Sequence, residues 1–391
     1  MKYVIIGSGV IGSAIARELV SRKIGDVLVL DKESLPAQHT SGRNSGVIHS
    51  GLNQKPGSLK ARLCLQGSSM LRRYCRENGV PIEECGTILV ANDNDERRRL
   101  RELESSAVAC GVPGVRIISK DELKEREPFA RGLEGLFSPT GAIVASSKLV
   151  YALMRDAEYN GAAYQFDTEV TRIGEKEIDT SKGKICFDFL INCGGLHADN
   201  LAHTAGLGRG YSVIPFRGDY REVEAKVNGM IYHVPDLRFP FLGVHLTKTV
   251  DQKVIAGPTA TLSLAGREGY ARGFKSRFFL ETANSLGFWM WAARTLSSGS
   301  QLRQVVHNLK ISRDEEAFLA DVAQIYTGEV QLKDNYRSGI RPQIVNRGGR
   351  LVEDFLIDRS DCQLHILNAV SPGFTASLAF AKYVVDNYAT R

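Results

Sequence analysis

A glycine-rich turn between two hydrophobic runs at the amino end constrains the fold more than any other stretch of the 391 residues. Tyr3-Val4-Ile5-Ile6 reads as a buried strand, and Gly7-Ser8-Gly9-Val10-Ile11-Gly12 follows it. Ile11, Ile15, Ala16 and Leu19 then recur at helical spacing, and a second strand, Val27-Leu28-Val29-Leu30, ends on Asp31. Strand, GxGxxG, helix, strand and acid together describe a dinucleotide-binding βαβ unit. Gly7 makes the tight turn, Gly9 lets backbone approach a pyrophosphate, and Gly12 lets the helix close on the sheet. Val10 and Ile11 open the helix, whose unpaired N–H groups and dipole favour the anion. Asp31 lies nineteen residues beyond Gly12, within reach of a ribose hydroxyl.

The length predicts two domains, because a single compact core rarely grows this large. Hydrophobic residues make up 43% and charged residues 24%, the balance of a globular enzyme rather than a disordered chain. A net charge of +6 favours anionic small molecules, but there is no long basic block and no nucleic-acid motif, so no nucleic-acid partner is expected. Seven scattered cysteines read as free thiols of a reducing compartment, without the paired spacing of a zinc site, and no metal is expected. The short apolar start is committed to the nucleotide turn and does not read as a signal peptide. A cytoplasmic protein is expected. The stretch from Leu286 to Ala293, which holds both tryptophans, leaves open peripheral contact with the inner face of a membrane. A helix packed on the domain or in a homo-oligomer interface is the plainer reading of that stretch.

Along the chain, a polar loop runs from Thr40 to Gly51, and a helix is predicted over 57–78, closed by Asn78-Gly79. Thr87 to Ala91 reads as a strand, 93–110 as a charged surface helix, and Ser146 to Asn160 as a helix closed by Gly161. Strands are predicted near 163–166 and over 185–193, the latter running out into Gly194-Gly195, where backbone meets a ligand. From Tyr211 onward the pattern changes to strands over 211–221, 229–234, 242–248 and 253–256, a largely antiparallel sheet, followed by amphipathic helix. Near the end, a strand over 362–369, the turn Ser371-Pro372-Gly373 and a helix over 374–388 return to nucleotide-domain character. The predicted architecture is α/β. A Rossmann-like nucleotide domain from 1–86, 143–210 and 333–391 is interrupted by a substrate domain from 87–142 and 211–332, built on a largely antiparallel sheet with helices.

Taken with these motifs, the chain resembles the FAD-dependent oxidoreductases of the D-amino-acid oxidase type. Within them it is most similar to the L-2-hydroxyglutarate dehydrogenases and oxidases. The resemblance rests on Asn44 to Gly51, Pro56 to Ala61, Pro215-Phe216-Arg217-Gly218-Asp219-Tyr220, Pro240 to Thr247, Gly339 to Gln343 and Asp354-Phe355. It implies bound FAD and oxidation of a 2-hydroxydicarboxylate to a 2-oxoacid, the hydride going to flavin N5. It further implies that Lys32 and Val170, with Gly42, Arg43, Asn44, Ser45 and Gly46, contact the cofactor. Gly194, Gly195, Gly373, Phe374 and Thr375 would close around the flavin. Arg43 stands where the family often has His or a neutral residue, and Asp31 where Glu is usual. Oxygen, a quinone and a carrier protein remain open as electron acceptors.

The chemistry sets its own requirements. Buried substrate carboxylates need cationic partners, and the arginine fork suits them best. Arg217 and Arg341 are the candidates. The hydroxyl proton needs a base within hydrogen-bond reach, for which His49 and His245 are candidates, with His245 placed on the substrate side and His49 beside the flavin. Other readings are the oxidation of another 2-hydroxyacid, an amino acid or glycerol-3-phosphate, or a noncatalytic flavin-containing subunit that binds a partner.

Overall fold

The computed structural model describes residues 1–235 and 243–389, side chains 334 and 335 excepted. Pro240, Phe241 and Leu242 of the quoted motif, and the first residue of the strand predicted over 242–248, therefore lie outside the described residues.

Because Val4, Ile5 and Ile6 are apolar on both faces, the opening strand Lys2–Ile6 needs cover on both sides. It lies inside a six-stranded sheet in the order Leu356–Arg359, Gln363–Asn368, Phe189–Asn192, Lys2–Ile6, Asp26–Leu30, Ala163–Gln165. All neighbours run parallel except the Leu356–Arg359 edge. Helices Val10–Ser21, Ser146–Tyr159 and Gly373–Val384 cover one face through Ile15, Leu19, Leu149, Leu153 and Phe380. The helix Leu59–Glu77 packs on the carboxyl-terminal helix so closely that a Cβ at Gly67 would stand 2.3 Å from the Thr375 carbonyl oxygen. Its start is fixed by Ser58, whose Oγ accepts from the Ala61 N–H at 3.1 Å, and by Asp354, which accepts from the N–H groups of Leu59 and Lys60.

A nine-stranded sheet forms the second layer system. Its order is Thr261–Leu262, Tyr211–Glu224, Val254–Gly257, His245–Lys248, Met230–His233, Thr87–Ala91, Glu134–Ser138, Arg116–Ser119, with Gln331–Asn346 pairing along Tyr211–Glu224. Every pair is antiparallel except Met230–His233 with Thr87–Ala91. Helices Leu286–Ser297, Gly299–Arg313 and Glu315–Val322 follow in the chain, and Ile311, Phe318 and Val322 pack with Val223, Ile231 and Leu246. A small sheet of Val47–Ile48, Ala142–Val144 and Ile82–Glu83 lies between the two.

Three expectations change. The strand predicted over 185–193 is two: Gly183–Cys186 belongs to a small antiparallel sheet and Phe189–Asn192 to the parallel one. The chain switches sheets at Asp188, whose N–H donates to the Lys2 carbonyl and whose carboxylate accepts from the Lys2 N–H. Gln331–Asn346 is a sixteen-residue strand of the second sheet, so 333–346 sits with the substrate strands rather than beyond the expected boundary at 333. The last helix is regular over Gly373–Val384, and a wider turn, Val385–Ala389, completes it.

Candidate active site

Residues from both sheets line a cavity of about 1670 Å³. One part of its wall is backbone and small side chains: Gly9, Val10 and Ile11 with Ser41, Asn44 and Gly195. Another part is lined by titratable and cationic side chains: His49, Lys60, Tyr220, Tyr232, His245 and Arg341.

The glycine turn is as tight as its sequence requires. Gly7 sits at φ +100°, and a Cβ there would lie 2.6 Å from the Cys193 carbonyl oxygen. A Cβ on Gly12 would meet the Gly7 carbonyl oxygen at 1.9 Å, and one on Gly9 would stand 2.9 Å from Ser41 Oγ. The helix begins at Val10, whose N–H donates to Ser41 Oγ at 3.0 Å, and no acid occupies its first turn. A positive helix end with no acid in its first turn, lining the cavity, fits the diphosphate of a dinucleotide such as FAD.

The other cofactor candidates fall into two groups. Asn44 holds the 40–46 loop together: its amide donates to the carbonyls of Thr40 and Ser41 and accepts from the Gly46 N–H at 2.8 Å. Ser45 lines the cavity beside it, and Gly42 is buried where a Cβ would meet the Ala37 carbonyl oxygen at 2.0 Å. Arg43 lies over the Tyr270 ring at 4.0 Å and donates to the Gln38 carbonyl. Gly195 and Phe374 line the cavity, while the Gly194 N–H is held by Asn192 Oδ1 at 3.0 Å. Gly373 opens the last helix, and Thr375 Oγ1 accepts from the His49 N–H at 3.0 Å, tying that helix to the flank of the site.

Asp31, Lys32 and Val170 do not line the cavity. Asp31 Oδ2 accepts from the Ser8 N–H and hydroxyl at 2.7 and 2.6 Å, which braces the glycine turn from below. Lys32 pairs with Glu268, and Val170 is buried with Val4, Ile6 and Leu30.

The four residues assigned to substrate chemistry separate by strand parity. Phe216, Gly218 and Tyr220 line the cavity, so Arg217 and Asp219 between them project to the other face. There Arg217 Nε donates to Asp219 Oδ1 at 2.7 Å and its Nη2 to Ser338 Oγ at 3.0 Å. Arg217 is thus engaged in an internal ion pair away from the cavity, and the expected contact with a substrate carboxylate gives way to a bracing contact between two strands. Arg341 pairs directly across from Phe216 and shares its face, lining the cavity with its guanidinium near Gly218.

His245 is buried and stacks on Tyr232, with ring centroids 4.1 Å apart. Its Nδ1 lies 3.2 Å from the Gly243 carbonyl, which can only accept, so Nδ1 carries the proton and Nε2 keeps a lone pair. Burial pushes its pKa down to about 3, against the Gly243 hydrogen bond and with help from Arg341 and His49. Burial and Lys60 likewise hold His49 at about 4. Both imidazoles are neutral at physiological pH.

Sequence reasoning passed over three groups. Lys60 and Tyr220 lie within quoted motifs without a role having been assigned; both line the cavity. Alternation along Tyr211–Glu224 sets Tyr220 and Arg217 on opposite faces, and the tertiary structure decides which face meets the cavity. His365, buried beneath the Gly194 turn, lies 3.1 Å from Asn192 Nδ2, and nothing local marks it.

Comparison with known proteins agrees with this geometry. The family model described as DAO, FAD dependent oxidoreductase, matches residues 2–387. The L-2-hydroxyglutarate dehydrogenase of Escherichia coli (strain K12) is 36% identical, covering 99% of this chain and 93% of that protein. The mitochondrial L-2-hydroxyglutarate dehydrogenase of Homo sapiens is 34% identical over 99% of this chain and 88% of its own length. Among solved structures, FAD-bound L-alpha-glycerophosphate oxidase from Mycoplasma pneumoniae superposes with a TM-score of 0.72 at 24% identity, covering 98% of this chain and 93% of that chain. Glycine oxidase from Geobacillus kaustophilus gives 0.71 at 20% identity, covering 99% and 94%. A glycine turn built for a diphosphate, a cavity shared by two sheets and a match along nearly the whole sequence lead to one conclusion: the chain belongs to the DAO family of FAD-dependent oxidoreductases.

Proposed function

We propose that this chain oxidises L-2-hydroxyglutarate to 2-oxoglutarate in the cavity between its two sheets. The observation that carries the reading is the pairing of Arg341 with His245 on one wall, a fixed cation beside a neutral imidazole with an open nitrogen. The full-length likeness to dehydrogenases of that name supports the choice of substrate.

Arg341 receives the carboxylate next to the carbinol carbon, and its planar fork fixes the orientation of that carbon. His245 Nε2 then accepts the hydroxyl proton as the C–H bond breaks. When bound, FAD supplies a two-electron acceptor for the hydride. The imidazolium that forms is disfavoured in the free cavity by burial and by Arg341, and a bound dicarboxylate offsets both. Lys60, close enough to His49 to depress its proton affinity, supplies a second positive charge for the distal carboxylate. His49 stays neutral and is positioned by Thr375 and Ser371.

The test is anaerobic flavin reduction. Purified holoenzyme should bleach with L-2-hydroxyglutarate and retain its colour with amino acids, glycerol-3-phosphate and other 2-hydroxyacids. Bleaching by one of those, with no response to L-2-hydroxyglutarate, would overturn the substrate. Reoxidation rates with oxygen, a quinone and a carrier protein then identify the acceptor.

A further inference from the structure

The glycine turn stands at the carboxyl end of Lys2–Ile6, between the strands Asp26–Leu30 and Phe189–Asn192. A dinucleotide lies in the crevice outside the carboxyl ends of such strands. One carboxylate from the other half of the molecule joins the two flanks of that crevice. Glu268 Oε1 pairs with Lys32, two residues beyond Leu30, and lies 2.8 Å from His197 Nε2, five residues beyond Asn192. Tyr270 makes a second fastening beside it. Its hydroxyl lies 2.7 Å from His39 Nδ1, and His39 Nε2 lies 2.8 Å from Glu33 Oε1. A carboxylate only accepts, so Nε2 carries the proton and Nδ1 receives the Tyr270 hydroxyl. His39 belongs to the loop whose Ser41 Oγ accepts from the Val10 N–H.

Glu268 and Tyr270 follow the strand Thr261–Leu262 of the antiparallel sheet, in a stretch, 263–276, that has neither helix nor strand. Arginines pin it on both sides of them. Arg267 is buried against Asp199, each 1% exposed, and donates to the carbonyls of Leu196 and Glu281 at 2.8 and 2.7 Å. Arg272 donates to the Ser312 carbonyl and, at 3.3 Å, to Asp219 Oδ2. The Arg267 pair is costly to part, because each charge would be left alone in a dry site. The bridge is of another kind. Lys32, Glu268 and His197 are 28%, 20% and 22% exposed, so each side chain can turn to water when it lets go.

We propose that Glu268 and Tyr270 form a gate over the nucleotide end of the FAD site. Arg267 fixes the gate in place, and parting of the Lys32–Glu268–His197 bridge opens it. Lys32 thus holds the gate rather than the cofactor. A gate that closes equally over the empty and the filled site slows entry and exit by the same factor and leaves affinity alone. A residue that only touched bound FAD would act on release and on affinity together. The inference rests on the FAD-dependent family and is independent of which substrate is oxidised.

Release of FAD from the holoenzyme tests the gate without any turnover. Dilution restores free-flavin fluorescence at the release rate, and the final level over a dilution series gives Kd. Glu268→Gln should release FAD roughly tenfold faster while Kd stays within about twofold of wild type, so that uptake quickens equally. Tyr270→Phe, which loses the His39 contact, should release about threefold faster. Raising NaCl from about 0.05 to about 0.5 M should hasten release from wild type and scarcely affect Glu268→Gln. Lys32→Gln parts the same bridge from the other side and should reproduce the Glu268→Gln rates, which a weakened fold at one position would not do. A rise in Kd that matches the rise in release rate in both variants overturns the proposal in favour of a direct hold on FAD. Unchanged release in both variants overturns it as well, and routes exchange through the mouth of the large cavity.

Discussion

The parallel sheet and the antiparallel sheet contribute to the same cavity by opposite means. The first offers backbone: a turn whose three glycines leave no room for a Cβ, ending at a helix start free of acids. The second offers side chains, Arg341 and His245, from strands almost a hundred residues apart in the chain. A site made of backbone is local and tolerates little, because any side chain occupies the space of the ligand or of the turn. A site made of side chains depends on register, because one residue of slip turns each group to the opposite face.

The sharpest way to break this contrast is Gly12→Ala. A Cβ 1.9 Å from the Gly7 carbonyl oxygen forces the turn open, so FAD content should fall to about a tenth of wild type or less. Absorbance of the purified protein measures it; a fully loaded variant would show that the turn is not a cofactor cradle. On the other sheet the cofactor should remain while turnover falls. His245→Ala is expected to retain flavin and lose roughly 10³-fold in kcat, as loss of a general base does. Arg341→Lys should keep flavin and lose about 10²-fold in kcat/KM, because a point charge replaces a two-pronged donor. Equal flavin loss in either variant would erase the division of labour between the sheets.

A pH titration compares the sheets through stability. His245 and His49 on the cavity wall and His365 in the parallel sheet are held at about 3, about 4 and about 4, chiefly by burial. Their folded values lie below the unfolded value near 6.5. Their stabilising effect is therefore present above pH 6.5 and is lost as pH falls toward 4, since the unfolded chain takes up protons that the folded chain refuses. Between pH 7 and 6 the three together should cost about 2 kcal/mol, measurable as a shift in urea midpoint. Replacing His365 with Asn should remove about a third of that slope. The smallest effect is expected at Arg217. Arg217→Lys should alter turnover per bound flavin by no more than about twofold, because the side chain faces Asp219 and Ser338 rather than the cavity. A large loss of turnover with intact stability would return Arg217 to the site.

Much of the fold was legible because its signals are local. The glycine turn and the Asn78-Gly79 and Gly161 stops each act within one turn of chain, and the elements begin and end beside them. Gln331–Asn346 was not legible. Its first half, Gln331 to Ser338, is mostly polar and shows no alternation, and it is a strand because Tyr211–Glu224 offers it a partner along its length. The break at Asp188 was hidden for a similar reason: apolar residues stand on both sides of it, and the Lys2 contacts made where the chain changes sheets come from the far end of the sequence.

Arg217 and Arg341 mark the boundary between the two kinds of knowledge. Each is an arginine within a quoted motif, and composition treats them alike. The sequence by itself determined the dinucleotide turn, the α/β class and the set of residues able to hold an anion or take a proton, because these depend on residue type and short spacing. Tertiary structure decided which of them meet. Register places Arg341 opposite Phe216, facing the cavity, and leaves Arg217 on the far side with Asp219. Side chains along a strand alternate with a period of two, so the face of a residue is fixed only once the pairing of distant strands is fixed.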